Sequence, residues 1–382
     1  MRCLRPAALA AIATLAALSC SSARSARVFL SAGEEADLPA TFARGLILVD
    51  ATLDGAAVGT FLLDTGSDVS VIDRSLEQRL QLPRESAAIA RGAGGSVSTS
   101  IVKARSLAIG PLTASEPSLL VLDLSPFERV VGRPIAGIAG LDLLEGRTLQ
   151  LDYAARRVRA LAPGVRPATQ APWQRLERRE SLLGLSVQLG SQRVEPLLLD
   201  TGMTGALALD EAIVGALGDE ARRERDTEWR VSVGGGSEEQ IASVRSVGVG
   251  GAELASVDAV LARPAGRFAG AVGAGLLRFF RVTLDLATDE ISLERLPSAA
   301  AVEGASGLRY ERARGGLRVV AVAGESPADA AGLLPGDLVT HVDGLGIGRL
   351  GWRGIRERFS FTGRKCELTV ARGLREVQLS LY

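Results

Sequence analysis

The chain of 382 residues contains few of the side chains that several large enzyme classes require. It has one histidine, His341, and three widely separated cysteines, Cys3, Cys20 and Cys366. This composition excludes a multi-histidine metal site, a clustered zinc site and a disulfide framework. A serine or cysteine nucleophile would find only His341 as an imidazole base. We therefore expect neither a metal nor another cofactor.

Lysine is also scarce, with only Lys103 and Lys365, and asparagine is absent, so arginine supplies nearly all the positive charge. The 44 basic side chains balance 44 acidic ones, and the formal net charge is zero. This balance lacks the basic excess that is typical of proteins that bind nucleic acid or anionic surfaces. We expect no nucleic-acid partner.

Aromatic residues make up only 4% of the chain, whereas glycine contributes 44 residues. Together with many valines, leucines and alanines, this composition favours short strands joined by tight turns. At roughly 100–200 residues per domain, the length suits two to three domains. The sequence predicts a mainly β protein.

The amino terminus has the pattern of an export signal. Two arginines precede an apolar run over residues 7–18, which is shorter than the roughly 20 residues of a membrane-spanning helix. The run ends in Ala-Leu-Ser before Cys20, and this resembles the lipobox of bacterial lipoproteins. The resemblance implies a signal peptide over 1–19, acylation of Cys20 and a tether over 20–38.

These features predict an exported protein of the periplasm or cell envelope, held at a membrane by a lipid anchor. The alternative is an ordinary signal peptide that is cleaved near Ala23 or Ala26. Cleavage there would remove Cys20 and leave the mature protein without lipid.

An internal repeat organises the middle of the chain. Phe-Leu-Leu-Asp-Thr-Gly-Ser at 61–67 returns as Leu-Leu-Leu-Asp-Thr-Gly-Met at 197–203, which is 136 residues later. Leu-Gln-Leu-Asp at 149–152 returns as Val-Thr-Leu-Asp at 282–285, which is 133 residues later. The matching order and similar offsets indicate two copies of one domain.

We place the two copies at residues 39–170 and 171–297. In each copy, alternating apolar residues predict a hairpin that leads into a buried strand before Asp-Thr-Gly. Each copy then has a glycine cluster between strand-like segments, at 92–96 and at 234–237. Such glycines suit the mobile tip of a hairpin.

The two aspartates of the repeated motif are Asp64 and Asp200. A carboxylate directly after three buried apolar residues is costly to desolvate unless it is paired, hydrogen-bonded or protonated. A single Asp-Thr-Gly can be a simple turn, but two in matched repeats can meet and share one proton. The ionised member could then take a proton from water while the protonated member binds a peptide carbonyl.

The two Asp-Thr-Gly motifs, each with a glycine flap and an apolar-apolar-Gly segment, resemble aspartic proteases over roughly residues 39–297. The short lobes resemble the retropepsin-like branch, whereas two lobes in one chain resemble pepsin-like enzymes. The resemblance implies a two-lobed closed barrel, a polypeptide substrate and catalysis by Asp64 and Asp200. It also implies loop support from Thr65, Gly66, Ser67, Thr201 and Gly202, flaps at Gly94, Gly95, Gly235 and Gly236, and backing segments at 138–140 and 271–273.

One position departs from the family pattern. The residue after the motif glycine is usually Ser, Thr or Ala, so Ser67 fits and could hydrogen-bond its aspartate, whereas Met203 cannot. We therefore expect a higher pKa for Asp200 than a serine-supported aspartate would have. On this reasoning Met203→Ser would move the upper limb of the pH–rate profile downward. Neither glycine cluster carries the flap tyrosine of pepsin-like enzymes.

The carboxy-terminal segment follows an Ala-, Ser- and Gly-rich linker at 298–307. Its order of Gly-Gly-Leu-Arg-Val, Ser-Pro-Ala, Ala-Gly-Leu and Pro-Gly-Asp closely resembles a bacterial PDZ domain, here over 308–382. The resemblance implies binding of peptide or protein C-termini by strand addition. The residues that it assigns to the carboxylate loop and the binding strand are Gly316, Leu317, Arg318 and Val319.

The sequence thus predicts an exported aspartic endopeptidase whose PDZ domain recruits or selects polypeptide. The competing hypothesis is a non-catalytic peptide-binding or scaffold lipoprotein, in which the barrel kept its Asp-Thr-Gly turns but holds peptides without cutting them.

Overall fold

The computed structural model describes residues 11–14, 27–29, 35–43, 45–162, 165–262, 268–296, 308–322, 327–360 and 365–381. Residue contacts divide the chain into two compact units. The larger unit contains residues 11–223 and 230–299, and the smaller unit is formed mainly by residues 300–382. Both are built largely of strands.

The first half of the larger unit contains β1 (Ala11–Thr14), β2 (Arg27–Phe29), β3 (Ala36–Leu38), β4 (Ala40–Ala43), β5 (Leu46–Leu53), β6 (Ala56–Leu63), β7 (Val71–Asp73), α1 (Arg74–Leu80), β8 (Arg84–Gly92), β9 (Gly95–Lys103), β10 (Ser106–Ile109), β11 (Leu112–Ser115), β12 (Ser118–Leu122), α2 (Ser125–Val131), β13 (Gly137–Ala139), α3 (Leu141–Leu144), β14 (Thr148–Asp152) and β15 (Arg157–Leu161).

The second half contains β16 (Trp173–Arg175), β17 (Glu177–Arg179), β18 (Leu182–Leu189), β19 (Gln192–Asp200), β20 (Leu207–Leu209), α4 (Glu211–Ala216), β21 (Ala221–Ser232), β22 (Gly235–Val249), β23 (Ala252–Leu261), β24 (Gly270–Gly273), α5 (Ala274–Leu277), β25 (Phe280–Asp285) and β26 (Glu290–Arg295).

The two halves repeat one strand arrangement. In the first, the hairpin β5–β6 leads into the first Asp-Thr-Gly motif, and β13 lies parallel to β6. In the second, the hairpin β18–β19 leads into the second motif, and β24 lies parallel to β19. Each motif therefore begins where a central buried strand ends, with a second strand beside it.

A shared sheet joins the two halves of the larger unit. Its strand order is β16-β26-β25-β14-β15-β3. β14 of the first half pairs antiparallel with β25 of the second, so that Leu149 lies opposite Leu284 and Leu151 opposite Val282. These leucine and valine side chains are almost fully buried. The repeat found in the sequence is therefore a structural repeat whose copies meet at these strands.

The smaller unit contains β27 (Leu308–Ala313), β28 (Gly316–Val322), α6 (Pro327–Ala330), β29 (Leu338–Val342), β30 (Leu345–Gly346), α7 (Ile347–Ser360), β31 (Cys366–Arg372) and β32 (Arg375–Leu381). Its sheet runs β27-β28-β29-β31-β32, with β30 paired to β29. Ile355 and Phe359 of α7 pack with Leu317 and Val339 of the sheet in one core. This arrangement confirms the prediction of a mainly β protein with a two-lobed barrel and a small carboxy-terminal β domain.

Of the expected signal segment, the structure describes only β1, which joins the edge of the sheet that contains β21. Cys20 and most of the expected tether lie outside the described residues. Across the described parts of the chain, the helices are too short or too polar to cross a bilayer.

Candidate active site

The two Asp-Thr-Gly turns face each other inside the larger unit. The amide of Asp64 donates a hydrogen bond of 3.0 Å to the carbonyl of Ala139 on β13, which fixes the first turn against its neighbouring strand. A Cβ on Gly66 would lie 2.7 Å from Cγ of Asp200. A Cβ on Gly202 would lie 2.5 Å from Cγ of Asp64. Glycine is therefore needed at both turns because each backbone touches the carboxylate of the other repeat.

Four hydrogen bonds between the threonines and the opposite repeat hold the turns together. The amide of Thr65 donates to Oγ1 of Thr201 over 3.0 Å, and the amide of Thr201 donates to Oγ1 of Thr65 over 3.1 Å. Each hydroxyl in turn donates across the interface, Thr65 to the carbonyl of Leu199 over 2.7 Å and Thr201 to that of Leu63 over 2.9 Å. These buried bonds fix the spacing of the two aspartates.

Asp64 and Asp200 are both completely buried. Oδ1 of Asp64 accepts hydrogen bonds from the amides of Gly66, over 2.8 Å, and Gly202, over 3.2 Å. Among the described residues, no donor makes a hydrogen bond of standard geometry to Oδ2 of Asp64 or to either oxygen of Asp200. Each carboxyl group instead lies against the turn of the other repeat, and the negative charge of Asp200 acts on Asp64.

The surroundings of both aspartates raise their pKa. Burial and the neighbouring charge of Asp200 raise the pKa of Asp64 well above its usual range. Burial also raises the pKa of Asp200, to about 6, although the Asp64 side chain, Arg230 and the amides of Gly202 and Met203 act in the opposite direction. Both groups resist ionisation, since burial and a neighbouring negative charge disfavour the charged form.

The residue after the motif glycine supports neither aspartate with a side-chain hydrogen bond. The hydroxyl of Ser67 donates over 2.7 Å to the carbonyl of Val69 rather than to Asp64. The Ser67 hydroxyl therefore gives Asp64 no hydrogen bond, and methionine at position 203 deprives Asp200 of no bond that Asp64 has. Met203 is fully buried, and its Cε lies 2.6 Å from where a Cβ on Gly273 would be. Its function in this structure is to fill space behind the second turn.

The expected backing segments lie directly behind the turns. The amide of Leu141, just after Gly140, donates to the carbonyl of Ser67 over 2.8 Å. In the second repeat, the amide of Ala274, just after Gly273, donates to the carbonyl of Met203 over 2.8 Å. Each active-site turn is therefore fixed by the residue that follows the apolar-apolar-Gly segment.

Ser70 and Asp142 make a further connection behind the first turn, which sequence reasoning missed. The amide and hydroxyl of Ser70 donate to Asp142 over 3.0 and 2.6 Å, and Oγ of Ser70 accepts from the amide of Gly140 over 3.0 Å. Burial raises the pKa of Asp142 to about 6, against these hydrogen bonds. The second repeat has Ala206 and Gly275 at the corresponding places, so the repeat gave no signal for this pair.

The glycine clusters form hairpin tips that meet. Gly94 and Gly95 lie at the tip of β8–β9, and Gly235 and Gly236 begin β22 after the tip of β21–β22. The amide of Gly94 donates to the carbonyl of Val233 over 3.1 Å. We refer to the tips at 92–95 and 232–236 as the first and second flap.

The second flap also packs onto the first repeat. Val231 and Val233 belong to a core cluster that contains Leu46, Leu62 and Ile138 of the first repeat. Arg230, the neighbouring residue on β21, is only 4% exposed, and its positive charge acts to lower the pKa of Asp200. Nothing in the sequence motif marks Arg230, because it reaches the site through the fold of the flap.

Residues 49–143 match the family model described as aspartyl protease, and residues 304–382 match the model of the PDZ domain. The chain carries an aspartyl protease domain and a PDZ domain. Both family resemblances are thereby confirmed. The first match includes Asp64 but ends before Asp200, so the second half of the site depends on the internal repeat and on the geometry above. No curated protein matches the chain significantly.

The PDZ domain differs from the expectation in one respect. The strand β28, which holds Gly316, Leu317, Arg318 and Val319, is not an open edge, because it pairs with β27 on one side and β29 on the other. The amide of Val319 donates to the carbonyl of Asp337 over 2.7 Å. The expected peptide-binding strand is therefore already paired on both sides, and β27 and β32 are the two edge strands of the described sheet.

Within the described residues, no group of three or more histidine, cysteine, aspartate or glutamate side chains could hold a metal ion.

Proposed function

We propose that the protein is an aspartic endopeptidase in which Asp64 and Asp200 activate water. The observation that carries this proposal is the pair of fully buried carboxyl groups, held together by the exchange of hydrogen bonds between Thr65 and Thr201. A structural turn would not need two buried carboxyl groups that each lie against the turn of the other repeat, since their mutual repulsion lowers stability. Such arrangements are typical of acid–base catalytic sites.

The reaction proceeds in two balanced steps. In the first, a water oxygen bonds to the peptide carbonyl carbon, the water proton moves to the ionised aspartate, and the carbonyl oxygen takes the proton of the other aspartate. In the second, a hydroxyl of the resulting gem-diol returns its proton to one aspartate while the other protonates the amide nitrogen, and the C–N bond breaks. One water is consumed and the pair regains its single proton.

The test is cleavage of an unfolded protein by the purified chain from pH 3 to pH 8. We expect cleavage that a hydroxyl-containing transition-state mimic inhibits and that Asp200→Asn abolishes, because loss of an acid–base group costs about 10²–10⁴-fold in rate. Asp219→Asn is the matched control, since that aspartate is exposed. Absence of cleavage at every pH would instead support a peptide-binding protein.

We further propose that the PDZ domain binds peptide C-termini along β27, one of the two edge strands of its described sheet. Strand addition requires an edge whose backbone groups can pair with the peptide. Tyr310 of β27 packs against Phe359 of α7 with ring centroids 5.1 Å apart, so the edge lies beside a helix. Fluorescence anisotropy should show tighter binding of free-acid peptides than of the same peptides amidated. Equal binding would contradict recognition of the terminus.

Export and lipid anchoring are proposed from the sequence alone, on the lipobox-like Ala-Leu-Ser-Cys ending at Cys20. More than one acyl chain on Cys20 would give stable membrane attachment. The intact mass of the mature protein from a native membrane fraction should show a chain that starts at Cys20 with added lipid. A start near Arg24 or Arg27 without lipid would contradict this proposal.

A further inference from the structure

The two repeats hold their active-site turns with different chemical groups. In the first repeat, the amide of Gly140 donates to the hydroxyl of Ser70 over 3.0 Å, so a side chain closes the contact behind the turn. In the second, the amide of Gly273, which corresponds to Gly140, donates to the backbone carbonyl of Ala206 over 3.0 Å. The first turn therefore depends on a side chain at a place where the second depends on backbone alone.

Asp142 fixes the direction of this serine hydroxyl. Ser70 is completely buried, and its hydroxyl has a single proton to donate. It donates that proton to Oδ1 of Asp142 over 2.6 Å, so its lone pairs can accept the bond from Gly140. The amides of Ser70 and Leu143 also donate to Asp142, each over 3.0 Å. All three partners are donors, which suits an ionised carboxylate, since that group only accepts.

The second repeat has no room for such a carboxyl group. Gly275 stands at the place of Asp142, and a Cβ there would lie 2.7 Å from the amide nitrogen of Ala206. The amide of Gly275 instead donates to the backbone carbonyl of Gly205 over 3.1 Å. The pair of serine and aspartate is therefore a feature of the first repeat, and the second turn serves as an internal reference for it.

Two backbone hydrogen bonds connect the pair with the turn that carries Asp64. The amide of Asp64 donates over 3.0 Å to the carbonyl of Ala139, the residue before Gly140. The amide of Leu141, the residue after Gly140, donates over 2.8 Å to the carbonyl of Ser67. Gly140 thus lies between the two bonds that hold the turn. Its own bond to the serine hydroxyl fixes the same segment, so a displacement of Gly140 would disturb both.

We propose that Ser70 and Asp142 are positioning residues that hold the first turn and thereby place the carboxyl group of Asp64 for the reaction. They act through the backbone of Gly140 and not on the reacting atoms. A catalytic group that is misplaced by about 1 Å costs about 10²-fold in rate, so the loss of this contact should be measurable. The inference rests on the proposed protease function for its catalytic meaning, but the fixing of the turn can be measured without substrate.

The experiment compares variants of the full chain with the parent at pH 7, which lies above the pKa of about 6 that burial gives Asp142. Ser70→Ala removes the hydroxyl. Asp142→Asn leaves one accepting oxygen but turns an amide NH₂ towards donors. The third variant combines the two substitutions. The control is Ile109→Ala, because Ile109 is buried on β10, which β5 separates from β6.

Two kinds of measurement are made on each variant. The first is kcat and KM for cleavage of an unfolded protein. The second is hydrogen–deuterium exchange of the Gly66 amide, which bonds Oδ1 of Asp64 in the first turn, divided by that of the Gly273 amide behind the second turn. The ratio separates loosening of the first turn from a loss of global stability, which would speed exchange at both amides.

For Ser70→Ala we expect kcat to fall by about 10- to 10²-fold with KM unchanged, and the exchange ratio to rise. Asp142→Asn should show smaller changes in the same directions, because the hydroxyl can still accept from Gly140. The double variant should lose less than the product of the two single losses, since the residues act through one contact. Ile109→Ala should lower Tm but leave both kcat and the exchange ratio at the values of the parent.

An exchange ratio that stays unchanged in Ser70→Ala would overturn the proposal, as would a loss of kcat in Ile109→Ala as large as that in Ser70→Ala. Single losses that multiply in the double variant would contradict a common contact. If Ser70→Ala does not fold, Asp142→Asn decides, and an unchanged ratio and kcat there would overturn the proposal. A parent that cleaves nothing would refute the protease function, while the exchange ratio would still test the hold on the first turn.

Discussion

Single residues set the chemistry of the site through close contacts across the repeat. Gly66 and Gly202 allow each turn to touch the opposite carboxylate, and the two threonines exchange their hydrogen bonds there. These residues could be singled out from the sequence because the Asp-Thr-Gly motif occurs twice. Arg230 and the bond from Ser67 to the carbonyl of Val69 could not, since each depends on the path of the folded chain.

Replacing Met203 with serine should lower stability without supporting Asp200. The serine of the first repeat bonds a backbone carbonyl two residues later, and Gly205 offers the corresponding carbonyl in the second. Removing a fully buried methionine side chain costs about 2–5 kcal/mol. We expect a lower Tm and unchanged limbs of the pH–rate profile. Met203→Leu conserves volume and should cost less than about 1.5 kcal/mol. A downward shift of the upper limb in Met203→Ser would contradict this account.

The raised pKa of Asp200 also predicts how stability changes with pH. A carboxyl whose folded pKa lies above its unfolded value favours folding when protonated, so its stabilising effect is lost as pH rises from 3.8 through about 6. Asp200→Asn replaces the titrating carboxyl group with a neutral amide, so the variant does not lose this stability as pH rises. The Tm of the variant should therefore exceed that of the parent at pH 7 and approach it at pH 3.5. A folded pKa that lies one pH unit above the unfolded pKa corresponds to about 1.4 kcal/mol. A Tm difference that does not grow with pH would contradict the prediction.

For helices and strands, the local sequence patterns predicted which segments form strands. Beyond the hairpins, they did not predict which strands pair with each other. The Asp54-Gly55 turn has positive φ at both residues, and it joins β5 and β6 as the alternating apolar pattern predicted. The edge of the PDZ sheet was predicted at the wrong strand. The residues of β28 fit an edge strand and an inner strand equally well, and only the pairing with β27 distinguishes the two.

The flap tips provide a prediction at the same scale. A Cβ on Gly234 would lie 2.5 Å from the amide nitrogen of Gly95, so Gly234→Ala should separate the tips. Hydrogen–deuterium exchange at the Gly94 amide should become faster, because its bond to Val233 is lost. Gly218→Ala is the control, since Gly218 also has positive φ but no atom within 4 Å of its Cβ position. Equal exchange in the two variants would show that the tips do not depend on this contact.

For the whole molecule, the duplication was visible in the sequence because strand–turn motifs returned in the same order. β14 and β25 pair in the shared sheet, with Gln150 opposite Thr283, which is 133 residues later in the chain. This pairing explains why the offset of these strands stayed close to the 136 residues that separate the two aspartates. The repeat thus predicted which two carboxyl groups meet. It could not predict which groups shift the pKa of each aspartate, since these groups differ between the copies.

The central claim is that Asp64 and Asp200 act as one catalytic unit. The most direct test is the rate of cleavage of an unfolded protein by the parent, Asp64→Asn, Asp200→Asn and the double variant. Residues that act as a unit are strongly non-additive. We predict that each single variant loses at least about 10²-fold and that the double variant loses no more than the worse single one. Losses that multiply, or a single variant that cleaves as well as the parent, would contradict the claim.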